Sequence, residues 1–226
     1  MLPLAAVMQP GGRAIAEPPP TLPGMRLQIT DPFFGRLKAH YILLRPGETT
    51  FEAAGIVDSN PINKGVSERG LTSKGREQVR KSVEAMKARG ISDPVVFFDS
   101  GARASQTADI VASELLISRN RMEPEFRWLE ARGLGALDGA EISQASAQIR
   151  SLDELDISNG AEPSEDGTPA DSVNDVFSRM RNTIAKIENT YGAGDFIIIP
   201  GVTAWPVVLC SCLAVSAPAV SAPAVG

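Results

Sequence analysis

Three short runs that are apolar at every position constrain this 226-residue chain more than any other feature. They are Tyr41-Ile42-Leu43-Leu44, the Val95-Val96-Phe97-Phe98 run after Pro94, and Phe196-Ile197-Ile198-Ile199. A strand without a polar face is buried on both sides, which is the condition of a parallel sheet covered by helices. The segments between the runs supply those helices. Thr72 caps one over residues 73 to about 89, with Val79, Val83 and Met86 on one face and Gly90 as its stop. A second covers residues 104–116, with Ile110, Val111 and Leu115 inward. Asp171 or Ser172 caps a third that runs to about Thr190 through Val176, Met180, Ile184 and Ile187. Phe126-Arg127-Trp128-Leu129 reads as a weaker strand. The pattern predicts an α/β fold, a three-layer sandwich with a mostly parallel central sheet and helices on both faces.

That sandwich is expected over residues 25–213. Residues 1–24 are rich in proline and glycine, with Arg13 ahead of the first acidic residue, Glu17, and read as a flexible or transit-like segment. Residues 214–226 hold Ala-Val-Ser-Ala-Pro twice and read as a low-complexity tail. No charged residue follows Asp195, but Pro200, Gly201 and Pro206 interrupt the apolar stretch, so a membrane span of about 20 residues is not expected. The formal charge of -5 argues against a nucleic-acid partner. Cys210 and Cys212 are one residue apart, too close for an unstrained disulfide, and read as buried apolar fillers in a reducing compartment. Cytoplasm and organelle, plastid or mitochondrion, both remain open. Trp128 and Trp205 read as core.

Ligands of parallel α/β sheets bind beyond the carboxyl ends of the strands. Arg45, Ser100 and Pro200 fall there. Histidine is the scarcest chemical resource, because His40 is the only one in the chain. A mechanism that needs two histidines is excluded, and two thiols with one distant histidine make no four-ligand zinc site, so neither a metal nor a cofactor is expected.

Read together, the strand-end loops resemble those of the histidine phosphatase superfamily, the phosphoglycerate mutase-like family. Leu44-Arg45-Pro46-Gly47-Glu48-Thr49 is similar to its R-H-G-E-T signature with proline in place of histidine. Gly55 and Leu71-Thr72-Ser73-Lys74-Gly75 fit the following G and L-T-x-x-G pattern. The run Asp99-Ser100-Gly101-Ala102-Arg103-Ala104-Ser105-Gln106-Thr107-Ala108 is closely similar to S-x-x-x-R-A-x-Q-T-A, with Asp99 at its first position. Glu130, Gly135 and Gly139 resemble the acid-bearing loop with altered spacing, and Pro200-Gly201-Val202-Thr203 stands where the family has S-H-G-D-T. The resemblance implies a phosphoglycerate mutase-like fold and a phosphate clamp of Arg45 and Arg103, with Thr49 as an added hydroxyl donor. Guanidinium suits that role because its planar donors grip phosphate bidentately and keep their charge. It also implies Glu130 as the general acid, or as a relic of one.

The same resemblance puts Pro46 and Pro200 at the two histidine positions, and proline offers neither a nucleophile nor a backbone donor. His40 lies about 16 Å from Arg45 along an extended strand and cannot replace them. The expectation is therefore a non-catalytic pseudo-phosphatase that keeps a phosphate- or partner-binding pocket. The alternative is an active phosphomonoesterase or mutase with another nucleophile, for which Glu48, Asp99 and Thr49 are candidates. Two facing arginines repel, so they call for a bound anion or for a neutralising carboxylate, Glu48 or Glu130. Glu52 would add negative charge near the pocket. Phosphate or a small phosphorylated metabolite, a protein partner and a homodimer all stay open as partners.

Overall fold

The computed structural model describes residues 5–8 and 38–201. Five strands, β1 (Ala5–Met8), β2 (His40–Leu44), β3 (Val95–Asp99), β4 (Met122–Glu125) and β5 (Asp195–Ile199), form one sheet in the order β1-β2-β5-β3-β4. Four are parallel. β5, the last in sequence, lies between β2 and β3, pairing Phe196 with both Tyr41 and Val95. β1 runs antiparallel to β2, with Ala5 opposite Leu44 and Met8 opposite Tyr41. This edge strand falls inside the 1–24 segment that the sequence reading leaves out of the fold.

Alternation along the strands serves two separate cores. Tyr41, Leu43, Phe97, Phe196 and Ile198 point to one face and pack under α5 (Val173–Thr190) through Met180, Ile184 and Ile187. Ile42, Leu44, Val96, Ile197 and Ile199 point to the other and meet α2 (Ser73–Ala88) and α3 (Ala102–Leu115) through Val79, Val83 and Val111. Each such side chain contributes about 1.5–3 kcal/mol by leaving water, so the two faces together fix the register. The expected three-layer α/β architecture is the observed one. Thr72 caps α2 by accepting from the Gly75 N–H, and Ser172 caps α5 in a capping box with Asp175.

Two elements differ from expectation. The strand expected at residues 126–129 is absent: β4 precedes it, Phe126 is exposed and Leu129 is buried from within a loop. An unforeseen helix, α4 (Ile142–Leu155), buries Ala145 and Ile149 against Val57, Leu134 and Ala161 in a third, smaller cluster. Trp128, expected in the core, is only half-buried, with the Lys186 ammonium 5.6 Å from its ring centre. Trp205, Cys210, Cys212 and the 214–226 tail lie outside the described residues, and among those described no helix is long and apolar enough to cross a membrane.

Candidate anion cleft

Three strand-end loops carry the residues expected at the site. The first follows β2. Here Gly47 and Gly75 touch: a Cβ on Gly47 would sit 2.2 Å from the Gly75 carbonyl oxygen, and one on Gly75 would sit 2.1 Å from that of Glu48. That approach, open only to glycine, pins the loop to the start of α2. Pro46 is buried in it. Thr49 caps α1 (Thr50–Ala53) in a capping box with Glu52: its hydroxyl accepts the Glu52 N–H at 3.1 Å, and Glu52 Oε2 accepts the Thr49 N–H at 3.1 Å. The other oxygen of Glu52 takes a 2.6 Å bond from Arg45 Nη2. Arg45 is thus neutralised by its own loop, and the Thr49 hydroxyl, buried, serves the helix.

The second loop follows β3. Gly101 opens α3, and Arg103 lies in its first turn with its side chain 6% exposed. Its Nη2 donates to both the carbonyl oxygen and Oδ2 of Asp58, each at 2.8 Å. Asp58 is itself buried and also accepts from Arg69, whose guanidinium lies 4.5 Å from the Phe51 ring centre. Two buried nitrogens of these arginines, Arg103 Nη1 and Arg45 Nε, have no hydrogen-bond partner among the described residues.

The third loop carries Glu130. Its backbone is tied to the end of β5 by the Gly201 N–H, which donates to the Leu129 carbonyl at 2.7 Å. Arg132, two residues on, is buried in a bidentate pair with Asp153 of α4 at 2.7 and 2.8 Å, and its Nε donates to the Asp171 carbonyl at 2.9 Å. Glu130 itself accepts from Lys64 Nζ at 2.6 Å.

Lys64, Asp99, Arg103, Glu130, Arg179 and Gly201 line one cleft between the second and third loops, with about 20 Å³ of free space, room for a single water. Burial raises the pKa of Asp99, and the nearby Lys64 ammonium only partly offsets it. Burial alone would lower Lys64, but its hydrogen bond to Glu130 and the charge of Asp99 outweigh that and raise it. Among the described residues, no group of three or more histidine, cysteine, aspartate and glutamate side chains could hold a metal ion.

Of the residues expected from sequence, Arg103 and Glu130 come together in the cleft, whereas Arg45 and Thr49 do not line it. The neutralising carboxylates are Asp58 and Glu52, not the expected Glu48 or Glu130. Glu48 is held by Lys74 at 2.6 Å and by the Thr72 hydroxyl at 3.0 Å, and the Lys74 bond lowers its pKa. Glu130 is the counter-ion of Lys64. Asp58, Lys64 and Arg179 are not among the residues expected from sequence; Asp58 and Lys64 lie between Gly55 and Leu71, and Arg179 lies on α5. His40 begins β2, its Nδ1 2.9 Å from Asp195 Oδ1, at the end of the strand remote from Arg45.

The sequence profile described as histidine phosphatase superfamily (branch 1) matches residues 41–224. Solved structures give the same fold. Bacillus stearothermophilus YhfR is 19% identical, with 77% of each chain covered and a TM-score of 0.55. A mycobacterial glucosyl-3-phosphoglycerate phosphatase complexed with VO3 is 17% identical, covering 76% of this chain and 78% of that one, with a TM-score of 0.52. A further mycobacterial protein, hydrolase 1, is 16% identical over 76% and 77%, with a TM-score of 0.53. No curated protein matches in sequence.

Proposed function

The chain belongs to the histidine phosphatase superfamily, branch 1, and we propose that within it this protein is a non-catalytic pseudo-phosphatase whose cleft binds a small oxyanion. One observation carries the reading. The only histidine of the chain is paired with Asp195 at the wrong end of β2, so no imidazole is available to attack phosphorus at the cleft. In this reading Pro46 and Pro200 stand at the family's histidine positions and supply shape without chemistry. Glu130 is engaged as the counter-ion of Lys64.

The binding half of the reading rests on Arg103. A buried guanidinium with one unpartnered nitrogen carries a cost of about 1–3 kcal/mol that an acceptor oxygen would relieve. The cleft is nevertheless close to charge balance: Lys64, Arg103 and Arg179 face Asp99, Glu130 and Asp171. Binding of phosphate should therefore be weak. Inorganic phosphate, tested by thermal denaturation over a concentration series, should raise the Tm of the wild type and leave that of Arg103→Ala unmoved. At about 100 times Kd the gain is about 2.7 kcal/mol. No shift with phosphate or any sugar phosphate would remove the anion-binding half and leave a surface for a protein partner or a second copy of the chain.

A second reading, a metal-assisted phosphomonoesterase, is favoured by one observation, the buried carboxylate of Asp99 in the cleft beside Lys64. The other candidate nucleophiles are engaged elsewhere, Thr49 in its cap and Glu48 with Lys74. This reading requires magnesium-dependent turnover that Asp99→Asn abolishes.

A further inference from the structure

Arg103 sits in the first turn of a helix of 14 residues, and the free N–H groups of such a turn attract anions. In this protein two of those donors are already taken. The Ala102 N–H donates to the carbonyl oxygen of Lys64 at 2.6 Å, and the Gly101 N–H donates to Asp99 Oδ2 at 3.0 Å. The side chain of the same Lys64 crosses the cleft, its Nζ donating to Glu130 Oε1 at 2.6 Å, the Phe126 carbonyl at 3.2 Å and Asp99 Oδ1 at 3.3 Å. One residue thus puts an oxygen on the helix terminus and an ammonium between the carboxylates. In the same cleft, the buried Nη1 of Arg103 is without a hydrogen-bond partner among the described residues.

The segment that does this is held by little else. Lys64 closes a single 3₁₀ turn, Pro61–Asn63, none of whose residues is buried; Ile62 is 74% exposed. Its root is fixed separately, since Asp138 accepts the Ser59 hydroxyl at 2.9 Å and the Asn60 N–H at 3.1 Å. A turn with a fixed root, few apolar contacts and a handful of polar ties opens at low cost.

We infer that the Pro61–Lys64 turn is a built-in, displaceable occupant of the cleft: a tetrahedral oxyanion reaches Arg103 and the α3 terminus only when this turn lifts, so the Lys64 latch regulates access to the site. The inference rests on the anion-binding reading above and adds to it the device that sets its affinity.

The test uses Lys64→Met/Glu130→Gln, which cuts the latch while removing one positive and one negative charge. Two readouts are taken on the full chain, amide hydrogen exchange without ligand and inorganic phosphate affinity by calorimetry. Exchange of the Ala102 N–H should rise at least tenfold while the slowest α5 amides stay unchanged, and phosphate should bind at least tenfold more tightly than to wild type. If Ala102 exchange does not change, the turn is not latched by Lys64 and the inference is overturned. Faster exchange with equal phosphate affinity in the two proteins overturns gating but leaves anion binding standing. Faster exchange with no phosphate binding in either protein overturns both. Should the double variant lose its α5 protection, Glu130→Gln alone, which removes the 2.6 Å tie, is read by the same exchange criterion.

Discussion

Replacing Asp58 by asparagine perturbs the hinge of the proposed site without changing its shape. Asp58 is 2% exposed and lies between two guanidinium groups, Arg103 at 2.8 Å and Arg69. Removing one partner of a buried pair costs about 3–5 kcal/mol, because the remaining charge is left without compensation. Two features place Asp58→Asn at the low end. Arg103 keeps its 2.8 Å bond to the Asp58 carbonyl oxygen, and Arg69, with 22% of its side chain exposed, regains water. The expected loss is about 3 kcal/mol, or about 6–12 °C in Tm at about 2–4 °C per kcal/mol for a domain of this size. The same change strips a negative charge from the surroundings of Arg103, so phosphate should take its place. At about 100 times its Kd phosphate returns about 2.7 kcal/mol, nearly the whole loss. Urea denaturation with and without phosphate, compared with wild type, measures both numbers. A loss under about 1 kcal/mol, or equal stabilisation of the two proteins by phosphate, would refute the argument that Asp58 holds the place of an anion.

Other perturbations follow from the same geometry. Asp153→Ala leaves Arg132 buried and unpaired and should cost about 3–5 kcal/mol in urea, whereas Arg132→Met with Asp153→Leu should recover most of it. Gly75→Ala forces a Cβ against the Glu48 carbonyl and should cost about 1–3 kcal/mol or more, read as a lower urea midpoint with unchanged slope. Asp175, whose pKa is lowered by the Ser172 hydroxyl and N–H, contributes stability above its unfolded pKa of about 3.9 and loses it as pH falls through the folded value. Because Asp175 is exposed and screened by water, Asp175→Asn should cost only about 0.2–0.5 kcal/mol at pH 6, and the gap to wild type should close as pH is lowered past 4 towards 2.

The three internal strands were legible because each is apolar on both faces, and the caps at Thr72 and Ser172 because hydroxyl side chains precede amphipathic runs. β4 was not: Met122-Glu123-Pro124-Glu125 has one apolar residue and a proline, which a strand at the sheet edge tolerates and a central one does not. The apolar Phe126 and Leu129 that drew attention to the next segment belong to a loop. α4 has a helical signal in the sequence, Ile142, Ala145, Ile149 and Leu152 at helical spacing. In the site, Arg103 and Glu130 were found from their signature loops. Their partners were not, since Asp58 lies 45 residues from Arg103 and Lys64 lies 66 from Glu130, separations that only the folded sheet closes. Glu52 was placed near the pocket from sequence, and its bond to Arg45 accounts for the missing second half of the expected clamp.

The proposed loss of catalysis rests on the one histidine of the chain lying away from the cleft, paired with Asp195. The most direct measurement is phosphate release from a panel of phosphomonoesters, with and without magnesium, for the wild type beside Arg45→Ala/Arg103→Ala. The account predicts that neither protein releases phosphate above the buffer rate on any substrate. Turnover by the wild type that disappears in the double variant would contradict it and identify the cleft as a working active site with a nucleophile other than histidine.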